Sequence, residues 1–482
     1  MSLREVKLLG FGLCLVVSFV SSQPVSAQSE TPDFIRLWEA PTGRPSESIF
    51  TDELPTIVPM GYREASVVSC FDSGLNCDST TACDGFGRSC FSDLGTRQSF
   101  SNGLWGIQPE LAKEGIVYQA QLTQFYQGVV SGGQDRTAEY GGKFDQFLIF
   151  NSKELGLWEG MQVIMHAETR FGEDIIQDAV LLAPANVNML YPSLQNETAI
   201  TGFQITQALS EEWAVTFGKI NALDLFYGMY PQTGRGVTGF MNTSMVLPLS
   251  VVRTTPLSFL GAGVIRLQEG KFQSGVLVYD SHNSATTSGF DDLFSNGANV
   301  LGFWRNFTEI GGRTGSHTFL GSYASGDFTS LDRTGWAVVP GQGVVAPQQS
   351  QSWSLNYILE QQLWVDPCHQ ERNIGLMSCW GLADEKTSPY LWTANVAVQG
   401  NGLVPGREGD SLGVGYFYNG VSGDLKNLVP LLNVGNVQGV ELYYNAAITP
   451  WFQLTADLQV VEPALGARDT AVVAGLRAMI VP

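Results

Sequence analysis

Residues 452 to 460, FQLTADLQV, place Phe452, Leu454, Ala456, Leu458 and Val460 on one parity and Gln453, Thr455, Asp457 and Gln459 on the other. A period of two with unlike faces is the signature of a β-strand. The pattern recurs along the chain. Ile116, Tyr118, Ala120 and Leu122 alternate with Val117, Gln119, Gln121 and Thr123, and Val163, Met165 and Ala167 oppose Gln162, His166, Glu168 and Arg170. Trp213, Val215 and Phe217 oppose Ala214, Thr216 and Gly218; Val472, Ala474, Leu476, Ala478 and Ile480 oppose Val473, Gly475, Arg477 and Met479. From Trp105 onward such stretches follow one another, separated by Gly, Asn, Asp and Ser, with no convincing helix between them. The expected class is all-β.

A soluble sandwich gives the same alternation with its apolar face turned inward, so periodicity alone does not fix which face is wet. The N-terminus tilts the choice. Arg4 and Lys7 precede an apolar run from Leu8 to Val20, and Val25-Ser26-Ala27 supplies small residues for signal peptidase, so residues 1–27 are expected to be a signal peptide. No later apolar run approaches the roughly 18 residues a spanning helix needs. A bilayer protein with this sequence must therefore be a closed barrel, since lipid leaves an open sheet edge unpaired. Aromatics at strand ends, 54 glycines and only 15% charged residues fit that reading. At roughly 10 residues per strand plus turns and longer outer loops, residues 105–482 allow a transmembrane antiparallel β-barrel of about 16 strands, with 14 or 18 as neighbouring solutions.

Residues 28–104 differ in texture. Prolines at 32, 41, 45, 55 and 59 run through polar sequence and are followed by Cys70, Cys77, Cys83 and Cys90, which reads as a linker and a small stapled element, periplasmic or at the barrel mouth. In an exported chain an even number of cysteines favours disulfides. Cys368 is expected to pair with Cys379, and the other four among themselves in one of three ways. No C-x-x-C spacing is present and only His369 adjoins a cysteine, so no metal and no cofactor is expected.

Charge narrows the partners. The chain carries 26 basic and 46 acidic residues, a formal net charge of −20, which argues against nucleic acid and against an anionic membrane surface. Two enzyme-like motifs fail on context. Gly409-Asp410-Ser411-Leu412-Gly413 matches a nucleophile elbow, yet His166, His282, His317 and His369 all precede Ser411 and a strand follows it. Gly234-Arg235-Gly236-Val237-Thr238-Gly239 matches the dinucleotide fingerprint, but no helix follows and no acidic residue lies between Leu225 and Gln268. It reads as a glycine-rich turn, and no catalytic constellation remains.

The last stretch, GVELYYNAAITPWFQLTADLQVVEPALGARDTAVVAGLRAMIVP, carries Glu441-Leu442-Tyr443-Tyr444, Thr449-Pro450-Trp451, Asp457-Leu458-Gln459, Pro463 and Ala474-Gly475-Leu476-Arg477. This combination resembles the ending of carbohydrate-selective outer-membrane porins of the OprB family. LAKEGIVYQAQLTQFYQGVVSGG (111–133) looks like that family's first barrel strand and DSLGVGYFYNG (410–420) like a late one. The resemblance implies a 16-stranded porin in the outer membrane of a Gram-negative-type bacterium, in contact with outer-membrane lipid and passing small carbohydrates by facilitated diffusion. General likeness to porins of this size points to a homotrimer. Sugar passage asks for hydrogen-bonding and charged groups on the lumen face that bind weakly. By parity those are Glu168, Arg170, Gln453, Asp457, Gln459 and Arg477; Trp304 and Trp336 could line a sugar track, or belong to the membrane girdles or to loop packing. Two other readings stay open: a cation-preferring general porin, and a surface barrel whose loops bind a partner or the cell wall.

Overall fold

The computed structural model describes residues 94–190, 198–341 and 343–482. The expected signal peptide, most of the 28–104 segment, and Cys70, Cys77, Cys83 and Cys90 lie outside the described residues. The first half of the sheet consists of β1 (Ile116–Gly133), β2 (Ala138–Asn151), β3 (Met161–Gly172), β4 (Thr198–Ala208), β5 (Trp213–Asn221), β6 (Ser258–Gln268), β7 (Lys271–Asp280), β8 (Ala298–Ile310) and β9 (Arg313–Thr329). After a small hairpin of β10 (Ala337–Val339) and β11 (Gly343–Val345) come β12 (Gln348–Val365), β13 (Asn373–Ala383), β14 (Tyr390–Asn401), β15 (Ser411–Val421), β16 (Val437–Thr449), β17 (Phe452–Glu462) and β18 (Asp469–Ile480). All but the hairpin join in sequence order into one closed antiparallel barrel of 16 strands, and β18 pairs with β1 to close it, with Leu122 opposite Ile480 and Phe125 opposite Arg477. The barrel removes the free edge that lipid would not tolerate.

The alternation is turned inside out relative to a soluble protein. Leu442, Leu458 and Leu476 are 49%, 43% and 53% exposed on the outer face. Their neighbours Asp457, Gln459 and Arg477 point inward and are 5%, 0% and 0% exposed. An outer face of this kind is stable only against hydrocarbon.

The two rims differ. At one, strands are joined by 152–160, 209–212, 269–270, 311–312, 366–372, 402–410 and 450–451. Glu269-Gly270 and Gly311-Gly312 have φ of 51° and 69°, and of 61° and 74°. Positive φ at both central positions is what a two-residue hairpin turn of right-handed twist demands, which explains the glycines there. The other rim carries the long connections 222–257, 281–297 and 422–436, together with the described parts of those that follow β3 (173–190) and β9 (330–341 and 343–347). Both the helix α1 (Ile107–Lys113) before β1 and the end of β18 lie at the short-turn rim.

The expected Cys368–Cys379 disulfide is corrected: both cysteines are free, Cys368 exposed and Cys379 buried. Cys368 sits in the 366–372 turn, whereas Cys379 lies six residues beyond the start of β13 and faces inward. At about 3.3 Å per strand residue that is far beyond the Cα separation a disulfide accepts.

Candidate functional site

The lumen is narrowed by its own connections. Residues 222–257 leave β5 and turn into the barrel, beginning with the helix α2 (Ala222–Met229), whose first amides at Leu223 and Asp224 donate to the Asn221 side chain at 3.0 and 3.4 Å. At the other end of the helix Arg305 of β8 donates to the Met229 carbonyl at 2.8 Å, a cation placed at the negative end of the helix dipole. Arg305 also bonds Ser316 and Glu360 and lies over the rings of Tyr230 and Phe307 at 5.1 and 5.0 Å.

From there the segment tracks the wall, and strand after strand offers it a polar side chain. Arg477 of β18 donates to the carbonyls of Gly236 and Gly239, Glu441 of β16 accepts from the amides of Met241 and Asn242, and Asn395 of β14 donates to the Ser244 carbonyl at 2.8 Å. Ser250 bonds Asn356 of β12 at 2.5 Å, Thr254 meets Ser322 of β9, and Thr255 meets the Tyr279 hydroxyl of β7 at 3.1 Å. The other long insertion, 174–190, docks on the first: Val187 donates to the Met241 carbonyl at 2.7 Å and Asn188 to the Gly236 carbonyl at 2.6 Å. Leu223, Phe226, Tyr227, Leu247, Leu249 and Leu257 of these insertions pack with Ile265, Leu277 and Leu301 of the wall, so part of the lumen is a dry core.

A second anchoring patch joins β2, β3 and α2. The Lys143 ammonium lies 2.7 Å from Asp145 and 2.5 Å from Glu168, and His166 bridges Asp145 at 3.1 Å and Asp224 at 2.8 Å while stacking on Phe147 at 3.8 Å. Arg235 stands 3.7 Å from Asp224 and over the Tyr227 ring at 5.5 Å. Burial lowers the pKa of Arg235 to about 10, with the charge of Asp224 working against that shift. Asp145, His166 and Glu168 have ligand atoms within 4.8 Å of one another, a spacing that would suit a metal ion. The Lys143 ammonium, however, already sits on the same two carboxylate oxygens, Asp145 Oδ1 and Glu168 Oε1. The donor set is closed by a built-in cation and does not fit a metal.

The residues expected on the lumen face by parity do point inward, but most are engaged rather than open. Glu168 belongs to the Lys143 patch. Arg170 donates to the Met189 carbonyl at 2.6 Å and to Asp174 at 3.3 Å. Gln459 donates to the Ala185 carbonyl and to Asp457, each at 2.8 Å, and accepts from Asn242 at 2.9 Å. Arg477 holds the glycine turn. Gln453 alone of the six is a half-buried neutral amide, accepting from Asn445 at 2.8 Å. Trp304 faces outward at 50% exposure, and Trp336 donates to the Ser330 carbonyl at 2.9 Å.

Parity reasoning also missed residues. Glu441 was within reach, because Leu442 and Tyr444 fix the outer face of β16. Lys143 and Asp145 were not, because Phe147 and Ile149 share their parity and blur the alternation. Ser411 opens β15 and donates to the Thr238 carbonyl at 3.2 Å, so the elbow-like motif is a turn entering a strand. The inward side chains that retain partial exposure include the amides Gln119, Gln204, Gln399 and Gln453.

A model of the carbohydrate-selective porin family OprB matches residues 135–481. Among solved structures, the high-pH form of Pseudomonas putida OprB aligns at a TM-score of 0.65 with 18% identity, covering 81% of this chain and all of that one, 100%. The low-pH form of the same protein aligns at 0.50 with 14% identity, covering 80% and 99%. At such identities the likeness speaks for the fold. A search of curated proteins finds no match.

Proposed function

Because the chain belongs to the OprB family of carbohydrate-selective porins, we propose that its barrel passes small neutral carbohydrates passively through the outer membrane of a Gram-negative-type bacterium. The long connections then face outward and the short turns the periplasm, the usual asymmetry of such barrels. The observation that carries the reading is how the lumen's charges are used. Lys143, Asp145, Glu168, Arg235, Glu441 and Arg477 are buried against wall or insertion, while Gln204, Gln399 and Gln453 keep partial access to the interior. Neutral amides exchange hydrogen bonds with sugar hydroxyls for those with water at little net gain, which lets a solute enter and leave again. No chemical step is involved, and assembly as a homotrimer belongs to the same proposal.

A cation-preferring channel is the second reading, favoured by acidic residues at the long-loop rim. Burial, and then the charges of Asp135 and Glu173, hold the Asp178 carboxyl above its ordinary range against the Thr137 hydrogen bond. Liposome swelling decides the main reading. Proteoliposomes should swell in iso-osmotic glucose and more slowly in larger sugars; vesicles that stay sealed to glucose reject it. Light scattering of the detergent-solubilised protein checks the trimer.

A further inference from the structure

The Gly234–Gly239 turn is held more tightly than a connection requires. Both terminal nitrogens of Arg477 donate to it, Nη1 to the Gly236 carbonyl at 2.6 Å and Nη2 to the Gly239 carbonyl at 2.8 Å. Immediately after the turn, the amides of Met241 and Asn242 donate to the two oxygens of Glu441, the second at 3.0 Å. Arg477 and Glu441 are both 0% exposed. Polar groups buried this deeply need hydrogen-bond partners, and here backbone groups of the insertion supply them to both Nη atoms of Arg477 and both oxygens of Glu441.

The turn is shaped for that seat. Gly236 has φ of +68°, and a Cβ there would stand 2.0 Å from Val187 Cγ1. A Cβ on Gly239 would stand 2.4 Å from the Thr233 carbonyl oxygen. Within the turn, Arg235 pairs with Asp224 of α2 at 3.7 Å. The turn is therefore bolted to β18 and β16 through its backbone and to the β2–β3 patch through Arg235 and Asp224.

We infer that Glu441 and Arg477 form a latch that presses this turn against the wall and thereby sets the largest carbohydrate the channel admits. They are positioning residues: they touch the insertion and act on the solute through it. The inference rests on the sugar-porin reading and adds to it the element that fixes the size limit. The motif that imitates a dinucleotide fingerprint is, on this account, the latched part of the constriction.

The test uses the full barrel in liposomes and in planar bilayers. Arg477→Met and Glu441→Gln, singly and together, should raise the ratio of trisaccharide to glucose swelling rates roughly threefold as the turn comes away from the wall. The double variant should add little to either single one, because both release the same turn. Arg477→Lys, which keeps a cation but loses the two-pronged fork, should recover part of the wild-type ratio. Gly236→Ala disturbs the seat from the Val187 side and should shift the ratio in the same direction. It also carries the test if an Arg477 variant does not assemble. Assembled variants with the wild-type size dependence overturn the latch. Wild-type vesicles impermeable to glucose would instead sink the sugar reading. The latch would then be judged by single-channel conductance in salt, which rises on release and stays unchanged if there is no latch.

Discussion

Two parts of the wall face the same lumen with opposite chemistry. In β16, β17 and β18 the inward side chains include Glu441, Asn445, Thr455, Asp457, Gln459 and Arg477, against an outer face of Leu442, Leu458 and Leu476. In β6, β7 and β8 the inward side chains are mostly apolar, Phe259, Ile265, Leu267, Leu277, Tyr279, Leu301 and Phe303 beside the polar Asn299 and Arg305, and the outer ones Val264, Val276, Val278, Val300 and Trp304 are apolar too. The first wall fastens the insertions mainly by hydrogen bonds to their backbone; the second mainly buries their apolar side chains, with Tyr279 and Asn299 bonding the Thr254 carbonyl and Arg305 that of Met229. A barrel of this circumference leaves room for a segment inside it. One insertion uses both kinds of wall, which lets it narrow the channel without filling it.

The contrast can be broken at either wall. Leu277→Asp places an unpaired carboxylate in the dry part, where Leu277 is 1% exposed, and should cost about 3–5 kcal/mol and prevent a heat-modifiable barrel from forming. Normal yield of folded porin would mean water reaches that wall. Leu458→Arg puts a cation on the lipid face in the middle of β17 and should cost about 2–4 kcal/mol, measured by urea unfolding in lipid. Gln453→Arg, on the inward parity five residues away, should cost less than about 1 kcal/mol and show itself in planar-bilayer reversal potentials as a shift toward anions. Equal damage from the last two variants would contradict the face assignment.

The smallest effect is expected at the rim. Burial opposes the charge of Asp410, but the Tyr444 hydroxyl, Arg407 and the Ala447 amide outweigh it and hold its carboxyl below the ordinary range. Its contribution is therefore fully present above the unfolded carboxylate pKa and is lost as pH falls through the lowered folded value. Asp410→Asn should lower the thermal midpoint slightly at neutral pH and flatten its fall in acid; a parallel fall in both proteins would remove Asp410 from the account.

These walls also explain what was legible in the sequence. Phe452 to Val460 announced its strand and both its faces because lipid and polar contacts select unlike residues at alternate positions. The strand number followed from length. β6 to β8 gave no such signal, since a strand apolar on both sides has no period to read. The insertions were invisible for a related reason: Leu223 to Leu257 is an apolar, glycine-interrupted connection whose partners are far away in sequence. Hence parity groups Asp457, Gln459 and Arg477 on one face, while the engagement of Gln459 with residues 185 and 242 and of Arg477 with 236 and 239 needed coordinates. The Cys368–Cys379 expectation failed because spacing along a chain says nothing about the direction of the strand that separates two cysteines.

The central claim is that the channel's charges are held in wall and insertion and that its open path offers neutral hydrogen-bonding groups. The reversal potential of single channels under a salt gradient tests this most directly. The account predicts a value close to zero, together with conductance that falls as glucose is added. A reversal potential near the cation equilibrium value, indifferent to glucose, would contradict it.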